Sequence, residues 1–213
     1  MMVLLVCGRV ASAFSPLSAE TEMALGASDA PVTIIEYASM TCPHCARFHL
    51  EELPRIKEAY IDTGKVRFVY WEFPLGRLAL TAAKIVRCGG EERFFGFVSL
   101  FFSKQIEWAG SNDPVDALRK LANVGGMGAA EFDACLANTS LEDGMLTSAL
   151  AASKAHGIDS TPSFVINGEL LEGELTVARL AEIVAQFDSD SISRKESQGL
   201  LDRILSFIDR LWS

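Results

Sequence analysis

Apolar and polar residues along the first third of the chain form a pattern that predicts a strand, a helix and a second strand. Residues 31–39 are nearly all apolar and rich in β-branched and aromatic types, which favours a buried strand. Apolar residues then recur at helical spacing over residues 43–60. Pro54 is expected to kink this helix because proline lacks the N–H of an intrahelical hydrogen bond. Residues 65–73 form the second predicted strand, which Pro74 closes.

The middle of the chain predicts helices, and the last third predicts a hairpin and one more helix. Residues 76–157 combine helix-like periodicity with glycine breaks and show no convincing strand. Strands are predicted again over residues 162–166 and 169–171. The intervening Asn167-Gly168 is a strong hairpin signal. A helix over residues 176–186 follows.

This order of elements predicts an α/β protein with a thioredoxin-like fold and an inserted helical domain. The core is expected to comprise residues 30–75 and 158–187, and the inserted domain residues 76–157. With 213 residues and 49% hydrophobic composition, the chain can bury one substantial core.

The N-terminal end is interpreted as a signal peptide over residues 1–13, followed by an extension over residues 14–29. A short apolar run precedes the small residues 11–13, as at a signal-peptidase site. No Lys or Arg precedes that run, so a true start codon further upstream is an alternative. Cys7 is assigned to the discarded peptide. This interpretation predicts export to the periplasm.

The C-terminal end is interpreted as a linker and an amphipathic helix. Residues 188–199 are polar and Ser-rich, which is typical of a flexible linker. Residues 200–213 carry an apolar stripe opposite charged residues. This helix is expected to pack on its own domain or to support self-association. A membrane-surface role is less favoured because its polar face is not strongly basic.

Charge excludes one class of partner. The formal net charge is -9, and Lys and Arg are scattered along the chain rather than clustered. A phosphate backbone requires a basic footprint, so nucleic acid is not expected as a partner.

Two cysteines lie three residues apart where the first strand ends and the first helix begins. In Cys42-Pro43-His44-Cys45, this spacing places both sulfurs on one helical face, where they can form a disulfide. Pro43 suits the first helical turn, where a missing N–H has no partner to lose. Unpaired N–H groups and the helix dipole there favour a Cys42 thiolate, so Cys42 is the candidate nucleophile.

The other two residues of the motif have candidate roles in the same chemistry. His44 can add a positive charge or a hydrogen bond to the Cys42 thiolate, which would make the disulfide more oxidising. Cys45 is one turn deeper and is expected to stay a thiol until it attacks a mixed disulfide formed at Cys42.

Two alternatives to redox chemistry remain open for this cysteine pair. The pair could form a purely structural disulfide, or half of a zinc site completed by Cys88 and Cys135. A zinc site would more naturally show a second close pair, and these two cysteines are far apart in helical segments. Redox chemistry without a metal is therefore favoured.

Several segments together resemble the DsbA-like thiol:disulfide oxidoreductases of the thioredoxin superfamily. The resemblance covers about residues 30–187. It rests on IIEYAS ahead of CPHC, WEFPL at the end of the second strand, the Arg87-Cys88 pair, EFDACL around Cys135, and GIDSTPSFVING over residues 157–168.

The resemblance implies roles for residues outside the CPHC motif. Pro162 matches a cis-proline that faces the active disulfide and exposes backbone groups to an extended substrate. Thr161 precedes it, and its hydroxyl is expected to tune the cysteine pair. Glu36 matches a buried acidic residue beneath the site that relays the Cys45 proton, although a partly exposed strand carboxylate is the alternative. Cys88 and Cys135 match a second, structural disulfide, with two buried free thiols as the alternative.

The expected function is introduction of disulfide bonds into exported proteins by exchange at Cys42 and Cys45, with no cofactor other than this redox-active disulfide. Reduced exported proteins are the expected substrates. The resemblance implies re-oxidation by a quinone-linked, DsbB-like membrane oxidase. A disulfide isomerase or reductase is the first alternative, and a non-catalytic peptide-binding module of the same fold is the second.

Overall fold

The computed structural model describes residues 18–187, except residues 20 and 172. The signal peptide expected over residues 1–13, the linker over 188–199 and the amphipathic helix over 200–213 therefore lie outside the described residues.

A five-stranded mixed sheet forms the centre of the fold. The strands are β1 (Met23–Leu25), β2 (Val32–Ala38), β3 (Val66–Glu72), β4 (Ser163–Ile166) and β5 (Glu169–Leu171). They are ordered β1-β3-β2-β4-β5, with β2 parallel to β3 and every other neighbouring pair antiparallel. This arrangement confirms the α/β prediction.

The helices connect and cover these strands. The described helices are α1 (Pro43–Arg47), α2 (Leu53–Ile56), α3 (Arg77–Cys88), α4 (Glu91–Ser103), α5 (Gln105–Ala109), α6 (Pro114–Val124), α7 (Ala129–Leu136), α8 (Thr139–His156) and α9 (177–187). Helices α3 to α8 lie between β3 and β4 in the chain and form the predicted helical insertion. Within residues 18–187, no helix is both long and apolar enough to cross a bilayer.

The alternation of side chains along β2 decides which residues face the active-site helix. Ile34 and Ala38 join the main core with Phe48 of the helical segment that follows α1, whereas Tyr37 packs on the opposite face with Ala152 of α8. Since side chains alternate along a strand, Glu36 shares the face of Ile34 and Ala38. The sheet therefore directs Glu36 into the core beneath α1.

The helix after β2 is continuous but irregular around Pro54. Helices α1 and α2 alternate with π-helical segments Phe48–Glu52 and Lys57–Ile61. Pro54 occupies the first turn of α2, directly after a π-helical segment. Pro54 has no N–H to donate to the preceding turn. The change from π-helical to α-helical hydrogen bonding at this position is therefore explained by the proline itself.

Strand β1 was not predicted from the sequence. Its three residues lie in the extension expected over 14–29 and pair antiparallel with β3, from Met23 opposite Tyr70 to Leu25 opposite Phe68. The first strand therefore begins at Met23 rather than near Pro31. A strand of three residues is too short to show a period, and its stability comes from pairing with β3.

A buried ion pair anchors the segment before β1 to the sheet and the helical domain. The Arg87 guanidinium of α3 is 0% exposed and donates to both carboxylate oxygens of Glu72 in β3, each at 2.7 Å. It also donates to the backbone oxygens of Ser18 and Thr21. Since a buried charge requires full pairing, this network ties three segments together.

Cys88 and Cys135 are joined by a disulfide between α3 and α7. Their Cα atoms lie 6.0 Å apart, 47 residues separate them in the chain, and their exposed fractions are 0% and 1%. The bond uses the two sulfurs that the zinc alternative requires, so that alternative is overturned. Free thiols at these positions are likewise not what the structure shows.

This buried disulfide is predicted to outlast the exchange site during graded reduction. Thiolates attack exposed sulfur faster than buried sulfur, so mild reductants should open Cys42–Cys45 first, as mass spectrometry after alkylation would show. Replacing both Cys88 and Cys135 with Ala should cost up to about 4 kcal/mol of unfolding free energy but leave exchange measurable. Simultaneous opening of both pairs would contradict the prediction.

Candidate active site

Cys42 caps the N-terminus of α1, where the helix directs donors toward its sulfur. The Cys42 Sγ accepts a hydrogen bond from the Cys45 backbone N–H at 3.4 Å, and the Cys42 backbone oxygen accepts from the Ala46 N–H at 3.1 Å. Pro43 occupies the first turn. Cys42 is largely buried, but at 8% exposure it is the more accessible of the two cysteines, since Cys45 is 0% exposed.

Hydrogen bonds to the sulfur lower the pKa of Cys42 to about 5. The largest contribution comes from the Cys45 thiol, and smaller ones come from Thr161 and the backbone N–H groups of Cys45 and His44, while burial opposes them. Each donor stabilises the thiolate more than the thiol. Cys42 is therefore mostly thiolate at neutral pH, as a nucleophile and good leaving group requires.

Cys45 has the opposite environment. Its side chain is 0% exposed, and burial, the hydrogen bond to Cys42 and the negative charges of Glu36 and Cys42 hold its pKa well above its ordinary value. A thiol in this position keeps its proton until a base accepts it. The two sulfurs are thus separated into a reactive thiolate and a shielded thiol.

His44 contributes a backbone donor to the site. The His44 N–H is among the donors that lower the pKa of Cys42. Its exposed imidazole lies 3.5 Å from the Arg47 guanidinium, measured from Nδ1. The role of the imidazole toward Cys42 stays a prediction.

The loop before β4 brings Thr161 and Pro162 to the sulfur of Cys42. The Thr161–Pro162 peptide bond is cis, and the Cys42 thiol donates to the Thr161 backbone oxygen at 3.1 Å. The Thr161 hydroxyl is buried and meets the geometry of no other hydrogen bond among the described residues, so the Cys42 thiolate, whose pKa it lowers, is the acceptor available to it. Thr161 lies 119 positions from Cys42 in the chain.

Glu36 lies beneath the cysteines and pairs with a histidine that the sequence did not indicate. Glu36 is 0% exposed, and its Oε2 lies 2.6 Å from Nε2 of His49. Burial raises the pKa of Glu36, and His49 partly offsets that effect. The alternative of a partly exposed strand carboxylate is therefore wrong. A lone histidine in an amphipathic helix gives no sequence signal, although it follows Cys45 by four residues and so shares its helical face.

Gln105 is a second site residue that sequence reasoning missed. Its buried side-chain amide donates to the backbone oxygens of Met40 at 2.8 Å and Cys42 at 3.0 Å. Helix α5, which belongs to the helical insertion, therefore fixes the backbone segment that leads into the CPHC motif. No local pattern reveals this contact because 63 residues separate Gln105 from Cys42.

A cavity of about 630 Å³ opens beside the exchange site. His44, Arg47 and Phe48 line one wall, and Ile158, Pro162 and Leu170 are among the residues of the opposite wall. Arg47 forms an ion pair with Glu174 at its rim. The cavity combines apolar walls with polar edges and adjoins the cis-proline loop, as a groove for an extended peptide would.

Fold and site together define a dithiol protein with a thioredoxin fold. The CPHC motif begins the helix that follows β2, Cys42 has a low pKa, Cys45 is shielded from solvent, and a cis-proline loop contacts the site. Within residues 18–187, no cluster of three His, Cys, Asp or Glu side chains is arranged to hold a metal ion. The chemistry available to this arrangement is thiol–disulfide exchange.

The chain belongs to the thioredoxin family, whose model matches residues 18–186, and within that superfamily it is DsbA-like. It is 32% identical over 186 residues to a Rickettsia typhi protein named "Putative protein-disulfide oxidoreductase", covering 87% of this chain and 64% of that protein. The chain therefore spans about three-fifths of the length of the curated relatives it matches.

Solved structures show the same relationship. Alpha-DsbA1 of Wolbachia pipientis superposes with a TM-score of 0.75 at 29% identity, covering 84% of this chain and 96% of that one. A protein-disulfide isomerase from Novosphingobium aromaticivorans gives a TM-score of 0.69 at 26% identity, covering 78% and 97%. These matches confirm the predicted thioredoxin-like fold with a helical insertion.

Proposed function

We propose that this chain is a protein-disulfide oxidase that introduces disulfide bonds into exported proteins. The observation that carries the proposal is the contrast between the two cysteines: the pKa of Cys42 falls to about 5, whereas that of Cys45 lies well above its ordinary value. A stabilised thiolate favours the reduced enzyme, so the oxidised enzyme gives up its disulfide readily.

The exchange proceeds in two displacements. A substrate thiolate attacks the Cys42 sulfur of the Cys42–Cys45 disulfide, the Cys42–Cys45 bond breaks, and the electron pair leaves on Cys45, which takes up a proton. The second substrate thiolate then attacks the substrate sulfur of the mixed disulfide and releases Cys42 as a thiolate. Its low pKa makes Cys42 a good leaving group.

The residues around the sulfurs support this assignment. Thr161 and Pro162 are the proposed substrate-binding residues because the Thr161 backbone contacts the Cys42 sulfur and Pro162 lines the cavity described above. Backbone groups of this loop can pair with an extended substrate segment. Glu36 is the proposed proton-accepting group for Cys45.

Export and re-oxidation are parts of the same proposal. Oxidising surroundings outside the cytoplasm suit both the exchange pair and the Cys88–Cys135 disulfide, which supports a periplasmic location. Each turnover leaves the enzyme reduced, so an electron acceptor is required. A quinone-linked, DsbB-like membrane protein is the proposed acceptor.

A disulfide isomerase is the second candidate, favoured by the Novosphingobium isomerase among the similar structures. A chain that only binds peptides is disfavoured because binding requires neither a lowered Cys42 pKa nor a shielded second thiol.

The function is tested by the equilibrium reduction potential against glutathione together with refolding of ribonuclease A. We expect a potential well above that of glutathione, and rapid reactivation of reduced ribonuclease by the oxidised protein. The Cys42→Ser/Cys45→Ser double variant is the control and should be inactive. Reactivation of scrambled but not of reduced ribonuclease would favour the isomerase, and a strongly reducing potential would refute the oxidase.

A further inference from the structure

Cys45, Glu36 and His49 form a buried polar group, and of these three described residues His49 alone retains solvent exposure. Cys45 and Glu36 are 0% exposed, whereas the His49 side chain retains 3% exposure. The Oε2 atom of Glu36 contacts Nε2 of His49, and its Oε1 atom has no hydrogen-bond partner among the described residues. The charge of Glu36 acts on Cys45 strongly enough to raise the thiol pKa.

The surroundings of this pair offer no competing proton acceptor among the described residues. Aromatic rings enclose His49: Phe48 from its own helix, Phe68 and Tyr70 from β3, and Phe102 from α4. Burial holds the pKa of Tyr70 well above its ordinary value, so its hydroxyl keeps its proton.

The remaining charged groups nearby are already paired or lie at the surface. Cys42 is the reactive thiolate itself, and it adds to the raised pKa of Glu36. Glu72 and Arg87 form a closed ion pair further along β3. A proton that leaves Cys45 therefore has Glu36 as its first acceptor and His49 as the next group toward water.

We propose that His49 is the positioning residue through which Glu36 exchanges protons with solvent, so that Cys45 gains and loses its proton during turnover. This inference rests on the proposed exchange at Cys42 and Cys45, and it adds a route for the proton that this exchange requires.

The proton and electron movements balance as follows when the disulfide closes. The Cys45 proton passes to Glu36, Glu36 passes one proton from Oε2 to Nε2 of His49, and the imidazole releases one from Nδ1 to water. The Cys45 sulfur then attacks Cys42 in the mixed disulfide, forming the Cys42–Cys45 bond. The bond from Cys42 to the partner sulfur breaks, and the electron pair leaves on that sulfur. Opening of the disulfide runs the same steps in reverse.

The test separates the two sulfurs in one experiment. Reduced protein is mixed in a stopped-flow instrument with 5,5′-dithiobis(2-nitrobenzoate), a disulfide that releases one coloured thiolate when Cys42 attacks it and a second when Cys45 closes the enzyme disulfide. In His49→Gln, which keeps a polar side chain that does not titrate, we expect the first release within about twofold of the unsubstituted protein. The second should be at least about tenfold slower.

The pH profile distinguishes proton transfer from a structural role. In the unsubstituted protein the second release should vary little between pH 6 and 8, because the Glu36–His49 pair accepts the proton. In His49→Gln it should rise about tenfold per pH unit, as removal by hydroxide requires. The Glu36→Gln variant should show the same slow, pH-dependent second release. The Glu36→Gln/His49→Gln double variant should be no slower than either single variant, because both residues act in the same proton route.

Tyr70→Phe is the matched control because it removes a buried hydroxyl beside the pair without removing a proton acceptor, and both releases should stay within about twofold. A second release in His49→Gln with the unsubstituted rate and pH profile would overturn the proposal. A slow first release would instead show loss of the Cys42 thiolate through misfolding, and His49→Asn then replaces His49→Gln. If neither variant folds, the unsubstituted protein still tests the proposal. A rate of second release that rises tenfold per pH unit in that protein would overturn it.

Failure of this inference and failure of the proposed function give different results. Loss of the first release in the unsubstituted protein, or a strongly reducing potential, would refute exchange by an oxidase. A normal first release and an oxidising potential, together with a second release whose rate does not change in His49→Gln, would refute the proton route alone.

Discussion

Cys42→Ser is expected to abolish disulfide exchange, whereas Cys45→Ser is expected to accumulate mixed disulfides on Cys42. Cys42 is the more exposed of the two cysteines and is a thiolate at neutral pH, so a serine hydroxyl in its place should lower the exchange rate by at least about 10³-fold. Cys45 is fully buried and cannot take over the attack. Mass spectrometry of intact protein after incubation with a disulfide substrate would show the covalent adduct in Cys45→Ser and its absence in Cys42→Ser.

Cys45→Ala provides a matched control for the electrostatic role of Cys45. The Cys45 thiol is the largest single cause of the lowered Cys42 pKa. A serine retains a donor at this position and an alanine does not, so the Cys42 pKa should rise further in Cys45→Ala than in Cys45→Ser. Thiolate absorbance against pH would measure both. Adducts formed equally by Cys42→Ser, or identical Cys42 pKa values in the two Cys45 variants, would contradict this account.

The reduced protein is expected to be more stable than the oxidised protein at pH 7, with an advantage that shrinks as the pH falls. Folding lowers the pKa of Cys42 from 9.0 to about 5. Between these values the unfolded chain binds a proton that the folded chain does not, so thiolate stabilisation is complete above about pH 9 and lost as the pH falls through about 5. Each pH unit in this window is worth about 1.4 kcal/mol.

Urea unfolding of both redox forms at pH 5 and pH 7 measures this advantage. Reduction must open only Cys42–Cys45 and leave Cys88–Cys135 intact, which mass spectrometry verifies. Cys42→Ser, which cannot form this disulfide, is the control: its own free energy of unfolding should lack the rise between pH 5 and pH 7 that the Cys42 thiolate gives the reduced protein. A stability advantage of the same size at both pH values would show that the pKa of Cys42 is not lowered in the folded protein. It would also remove the driving force assigned to the oxidase.

Local pattern was enough to predict most of the sheet and the helix that carries the cysteines. The predicted strands over 31–39, 65–73 and 162–166 differ from β2, β3 and β4 by a residue or two at their ends, and β5 coincides with its prediction. The Asn167-Gly168 turn adopts positive φ at both residues, as a tight hairpin requires. These features depend on near neighbours in the chain.

β1, His49 and Gln105 were missed for a common physical reason. Each gains its role from a partner distant in sequence: β1 from pairing with β3, His49 from Glu36 across the core, and the Gln105 amide from the backbone before α1. No property of a short strand, a single histidine or a single glutamine marks such a partner.

The amino-acid sequence by itself determined the chemistry of this protein: two cysteines at the spacing of one helical turn, and a proline that starts the helix after a buried strand. Tertiary structure alone decided how that chemistry is tuned. It brings the cis Thr161–Pro162 bond to the Cys42 sulfur, pairs Glu36 with His49, and closes the Cys88–Cys135 disulfide. The pKa of a thiol depends on the donors and charges within a few ångströms, and folding brings Thr161 to Cys42 from 119 residues away.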